Sequence, residues 1–211
     1  MGESATFANQ ILVSTSVISA AFALTLASVG IGTPQWQINT INTTYGEILV
    51  VNTANFFYAC RYNLAGEILE CGERIRNRSI SSYYRINTTG DEDQWNLHLN
   101  TAAGFSIIGL ILIFIATVAI IFMFFGEKHQ WIYLVTPVLL FVACLFMLAA
   151  LAEGSQVLFS NGYSAYLYRV GHLLTIFSLL VNSIVAGRMF QYELLSKPSQ
   201  NVKNQLYKIV V

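Results

Sequence analysis

The chain has 211 residues, 55% of them hydrophobic and 10% charged, and its 11 basic and 11 acidic side chains cancel. That balance excludes an ordinary soluble domain, and the lack of a basic excess gives no ground for a nucleic-acid partner. It is the composition of a membrane protein.

Four apolar runs, at 11–32, 101–125, 131–152 and 167–187, reach the roughly 20 residues a helix needs to cross a bilayer. The first Lys or Arg in the chain is Arg61, so the first run lacks the basic start of a secretion signal and reads as a retained span. Met1-Gly2-Glu3-Ser4-Ala5-Thr6 fits a myristoylation pattern only formally, and four spans already anchor the chain.

The segment 33–100 holds nearly all the extramembrane mass. Within it, 36–41, 48–51, 55–62 and 68–76 are rich in branched and aromatic residues, with Asn-Thr, Tyr-Gly and Ala-Gly breaks between them, which predicts four strands. Cys60 and Cys71 suggest one disulfide clamping two antiparallel strands. Such a bridge is worth roughly 3 kcal/mol in the chain-entropy model and persists only in an oxidising compartment, which puts the segment outside the cell. The three sequons of the chain, at Asn42, Asn77 and Asn87, all fall here and point the same way. Residues 91–97, with acids at the start, predict a short helix leading into the second span.

The second connection, 126–130, is a tight turn, and the third, 153–166, is short. Trp131, Tyr133, Tyr163, Tyr166 and Tyr168 suit interfacial aromatic belts, and Arg169 can snorkel to the surface. Cys144 reads as a small packing residue; Asn182 and His172 are costly in lipid and are expected to face the bundle in helix-helix hydrogen bonds, with a functional polar site as the alternative. Orientation follows from the short segments, because long loops translocate regardless of charge. Lys128 lies in the turn, Arg188, Lys197, Lys203 and Lys208 lie in the tail 188–211, and 153–166 has no basic residue, so both termini are expected in the cytoplasm. The expected architecture is a single membrane α+β domain: a left-handed four-helix transmembrane bundle carrying a small extracellular antiparallel β-sheet.

Trp36, Asn55-Phe56-Phe57, Cys60 three positions later and Cys71 eleven further resemble the Trp, Gly-Leu-Trp, Cys, Cys signature of the claudin superfamily. Pro34-Gln35-Trp36 is similar to the way several claudins leave their first helix, and the four spans with a large first loop fit along most of the chain. Asn55, Phe56 and Phe57 stand where the signature has Gly, Leu and Trp, and residues 162–168 lean towards the peripheral myelin protein and calcium channel gamma subunit relatives. The resemblance implies that Trp36 and the Phe56-Phe57 pair lie where the sheet meets the membrane, with the indole N–H in the interface. The alternative is that they are simply core of the sheet.

Arg74, Arg76 and Arg78 alternate, which places them on one face of a strand. By resemblance such a face would attract anions, but Glu67, Glu70, Glu73 and the sequon at Asn77 favour a solvated charged face. The end, with Ile209 and Val211 flanking Val210, suits strand addition to a PDZ scaffold. No Cys-x-x-Cys, phosphate loop or nucleophile motif is present and His98, His129 and His172 do not cluster, so neither an enzyme nor a cofactor is expected. The resemblance implies a plasma-membrane protein of cell-cell junctions, acting in adhesion or a paracellular barrier through like four-span proteins in cis and in trans. Phe159, in the middle of the short third loop, is the candidate apolar contact, with a lipid-facing anchor as its alternative. The alternative is an accessory subunit that alters gating or trafficking of a channel or receptor.

Overall fold

The computed structural model describes residues 2–42, 48–63, 65–73, 92–125, 130–158 and 160–196. Four long helices, α1 (Gly2–Gly32), α2 (Glu92–Phe125), α3 (Gln130–Val157) and α4 (Tyr163–Ser196), carry a sheet between the first two. Asn9–Gly32, Leu97–Met123, Ile132–Val157 and Tyr163–Met189 are each long and apolar enough to cross a membrane. The shortest, 24 residues, spans about 36 Å against about 30 Å of hydrocarbon. Side-chain size is sorted accordingly: Phe22, Ile111, Phe122, Leu134 and Leu173 are exposed, while Ala20, Ala23, Ala102, Ala116, Ala143 and Ala150 are buried. Ile113, Ile120, Leu140 and Met147 are buried as well, but large apolar groups outside with many small ones inside suit a lipid solvent, where helices associate by close backbone packing. Thr101, Ser106, Thr117 and Thr136 return their hydroxyls to the carbonyl four residues back, so they add no unpaired group.

The closest approach joins α1 and α4. Buried positions Ser16, Ala20, Ala23, Ala27 and Gly30 recur in alternating steps of four and three, as do Ser164, Tyr168, Gly171, Thr175 and Ser178. The helices run antiparallel, so Ser16 meets Ser178 at one end, with hydroxyls 3.1 Å apart, and Gly30 meets Ser164 at the other. A Cβ on Gly171 would stand 2.9 Å from the Ala23 carbonyl oxygen, closer than any side chain sits in practice.

The sheet is a four-stranded antiparallel meander, β1 (Gln37–Asn42), β2 (Ile48–Ala54), β3 (Tyr58–Tyr62) and β4 (Ile68–Glu73), in sequence order. Cys60 lies directly opposite Cys71 in the β3–β4 register, and the two are disulfide-bonded with Cα atoms 4.2 Å apart. The β3–β4 turn is held by Asn63, whose Oδ1 accepts from the amides of Ala65 and Glu67, with Gly66 supplying the positive φ of 78°.

Element ends differ from expectation in ways with physical causes. Asn55-Phe56-Phe57 are not in a strand; β2 continues to Ala54 and the three residues form its turn into β3. The short helix expected at 91–97 is, from Glu92, the start of α2, since no proline stops it. Only 158–162 separates α3 from α4, because helical hydrogen bonding continues past the ends of the apolar runs. Residues 74–76, Asn77, Asn87, Phe159, Ile209 and Val211 lie outside the described residues.

Candidate functional site at the junction of sheet and bundle

Trp36 follows α1 directly and Phe56 sits at the tip of the β2–β3 turn, so chain connectivity alone brings them to the mouth of the bundle. Their ring centroids are 4.4 Å apart, and Tyr168 of α4 closes the other side of Trp36 at 5.4 Å. Trp36 and Phe56 are 1% and 3% exposed, and Tyr168 is fully buried. The indole N–H expected in the membrane interface is therefore enclosed by packing, and Trp36 Nε1 has no hydrogen-bond partner among the described residues. Phe57 is half-buried and packs against the edge of the same core.

Asn55 is the polar pin of this junction. Its Nδ2 donates to the carbonyls of Ile31 (2.9 Å) and Thr33 (3.0 Å), which end α1. Its Oδ1 accepts from the amides of Phe57 (2.8 Å) and Tyr58 (2.6 Å), which turn the chain into β3. One fully buried carboxamide thus caps the C-terminus of a helix and builds the turn of a hairpin. A glycine at this position would supply none of these bonds.

Two close approaches complete the joint. Gly154 of α3 lies under the Phe56 ring; a Cβ there would come within 2.6 Å of Cε1. Gly162 donates its amide to the Trp36 carbonyl, and a Cβ on it would fall 1.9 Å from the Gln35 carbonyl oxygen. Beside it, the Asn161 carboxamide acts as one rung of strand, accepting from the Ile38 amide and donating to the Ile38 carbonyl, both at 2.8 Å. The α3–α4 connection is therefore bonded to the outer edge of β1. On the neighbouring helix pair, His98 Nδ1 lies 2.6 Å from Glu153 Oε2, which ties the start of α2 to the end of α3.

The sequence singles out Trp36, Asn55, Phe56, Phe57, Cys60 and Cys71, and the structure brings all six to this sheet and its base. It leaves out Gly154, Asn161, Gly162 and the His98–Glu153 pair, whose partners come from segments more than 50 residues away. Asn42 ends β1. Asn182 does face the bundle, 1% exposed, but among the described residues neither carboxamide atom has a hydrogen-bond partner.

Away from the joint, Ile68 and Leu69 of β4 are 62% and 58% exposed. A groove of about 290 Å³ on the sheet is lined by Gln35, Ile38, Val50, Thr53, Tyr62 and Gly66. Among the described residues no three His, Cys, Asp or Glu side chains are placed to hold a metal ion. Compared with known proteins, the chain matches no family model and no curated sequence.

Proposed function

We propose that this chain acts by protein association at cell-cell contacts, as a claudin-like component of adhesion or of a paracellular barrier. The observation that carries the reading is a disulfide-clamped sheet fixed to four membrane-crossing helices that still exposes Ile68 and Leu69 to solvent. Both stand on β4, a border strand among the described strands, where a partner's surface would cover them. The disulfide and the sequons at Asn42, Asn77 and Asn87 support a sheet outside the cell, and the basic tail supports cytoplasmic termini. The 3.5-residue recurrence along α1 and α4 supports a left-handed bundle.

The test is expression of the tagged chain in cells that lack junctional strands. Enrichment where two expressing cells meet, with a change in paracellular conductance, is the expected outcome. Ile68→Ser with Leu69→Ser should abolish the enrichment at unchanged surface level. Uniform distribution of the unaltered chain with no conductance change would reject the reading in favour of an accessory subunit, in which the same exposed side chains meet a channel or receptor recoverable by co-purification.

A further inference from the structure

We propose that the exposed face of α4 is a glycerophospholipid site, with Arg169 binding the lipid phosphate in the leaflet on the side of the sheet. Arg169 lies six positions inside the membrane-crossing part of α4, about 9 Å below its first residue. Its guanidinium nevertheless donates to Ser160 Oγ, which precedes the helix, so the side chain runs back along α4 towards the headgroup level. On the way it lies over the Tyr166 ring, 5.7 Å from the centroid, which holds the planar fork in place.

Arg169 is exposed, and no carboxylate among the described residues pairs with it. A guanidinium has five N–H donors in a fixed fork that matches a phosphate, and among the described residues Ser160 is the one hydrogen-bond acceptor for them. Directly below, Val170, Leu173 and Phe177 are 45%, 64% and 46% exposed and share one face with Tyr166. Phosphate-binding cation, aromatic ring and apolar stripe therefore stand in the order of headgroup, interface and acyl chain. A second helix is the poorer occupant. Helices meet in lipid through small residues, and on α4 those lie on the opposite face, used by α1, whereas this stripe is built of large side chains.

The test is native mass spectrometry of the full chain in detergent, titrated with palmitoyl-oleoyl phosphatidylglycerol. The unaltered chain should retain one lipid, Arg169→Gln should weaken retention at least tenfold, and Arg169→Lys, which keeps charge but not the fork, should fall between. Millimolar glycerol 3-phosphate should not displace the lipid. Formation of the Cys60–Cys71 bond reports that a variant is folded, and Arg169→Lys carries the test if Arg169→Gln is not. Equal retention by folded variants would overturn the proposal, as would displacement by glycerol 3-phosphate alone, which would reduce the site to a free-phosphate site. Efficient disulfide dimers of Leu173→Cys in membranes would overturn it too, by assigning the face to a helix.

Discussion

Asn55 holds four backbone groups with one side chain, two carbonyls at the end of α1 and two amides of the β2–β3 turn. Asn55→Ala removes all four bonds at a fully buried position and should cost about 2–3 kcal/mol, read as a fall in the thermal midpoint in detergent. Asn55→Asp keeps the acceptor but sets an oxygen against two carbonyls, so at neutral pH it should be no better. Burial and those carbonyls raise the folded-state pKa of the new carboxyl, so its penalty should shrink as the pH falls and the acid becomes a donor. A midpoint for Asn55→Asp equal to that of the unaltered chain would show that the carbonyls are capped otherwise. Gly154 and Phe56 form a second pair open to test. Gly154→Ala should destabilise, and much of the loss should disappear when Phe56→Ala is already present, a coupling of about 1–3 kcal/mol in a double-mutant cycle. Simple additivity would mean that the helix shifts to admit the methyl group. The sequence marks Asn55 as a departure from the claudin signature but hides its use, because the carbonyls it caps lie 24 and 22 residues earlier.

Among the elements, α1 and α4 form the tightest seam, and their two faces should respond oppositely to substitution. Gly171→Leu drives a side chain into the backbone of Ala23 and Ala27 and should cost more than about 3 kcal/mol, whereas Leu173→Ala on the outer face should change stability by only about 0.5 kcal/mol. Similar losses for the two would mean that the outer face is covered by protein. The β3–β4 clamp supports the other element pair. Cys60→Ser or Cys71→Ser should remove about 3 kcal/mol and lower surface expression; normal folding and surface levels of both would count against a structural disulfide. The four helices were legible in the sequence because a lipid solvent demands long uninterrupted apolar runs, and the clamp because its cysteines sit in strand-forming segments. Helix ends were not, since Leu97, His98 and Glu153 belong to helices without belonging to an apolar run. The hairpin turn at Asn55-Phe56-Phe57 has the apolar pattern of a strand, and that pattern cannot register a turn made by an asparagine side chain. Nothing local marks Gly154 or Gly162 as a packing glycine: each answers to backbone or a ring from a distant segment.

At the scale of the molecule, the described residues form one sheet module and one module of membrane-crossing helices, and their topology can be read from sugar. With the sheet outside, the unaltered chain should lose mass on treatment with an N-glycosidase, and replacing Asn42, Asn77 and Asn87 together by Gln should abolish that shift; an untreated chain that already runs unmodified would remove one support for the orientation. The module boundary also limits assembly. Asn161 and Gly162 occupy outward backbone groups of Ile38 and Trp36, so along that stretch β1 has no free rung to offer another strand. A border stopped at this stretch by the chain's own connection leaves an added strand only the remainder of β1, or the opposite border at β4. Growth of an array by strand addition at this stretch of β1 would first have to break the bonds to Asn161 and Gly162.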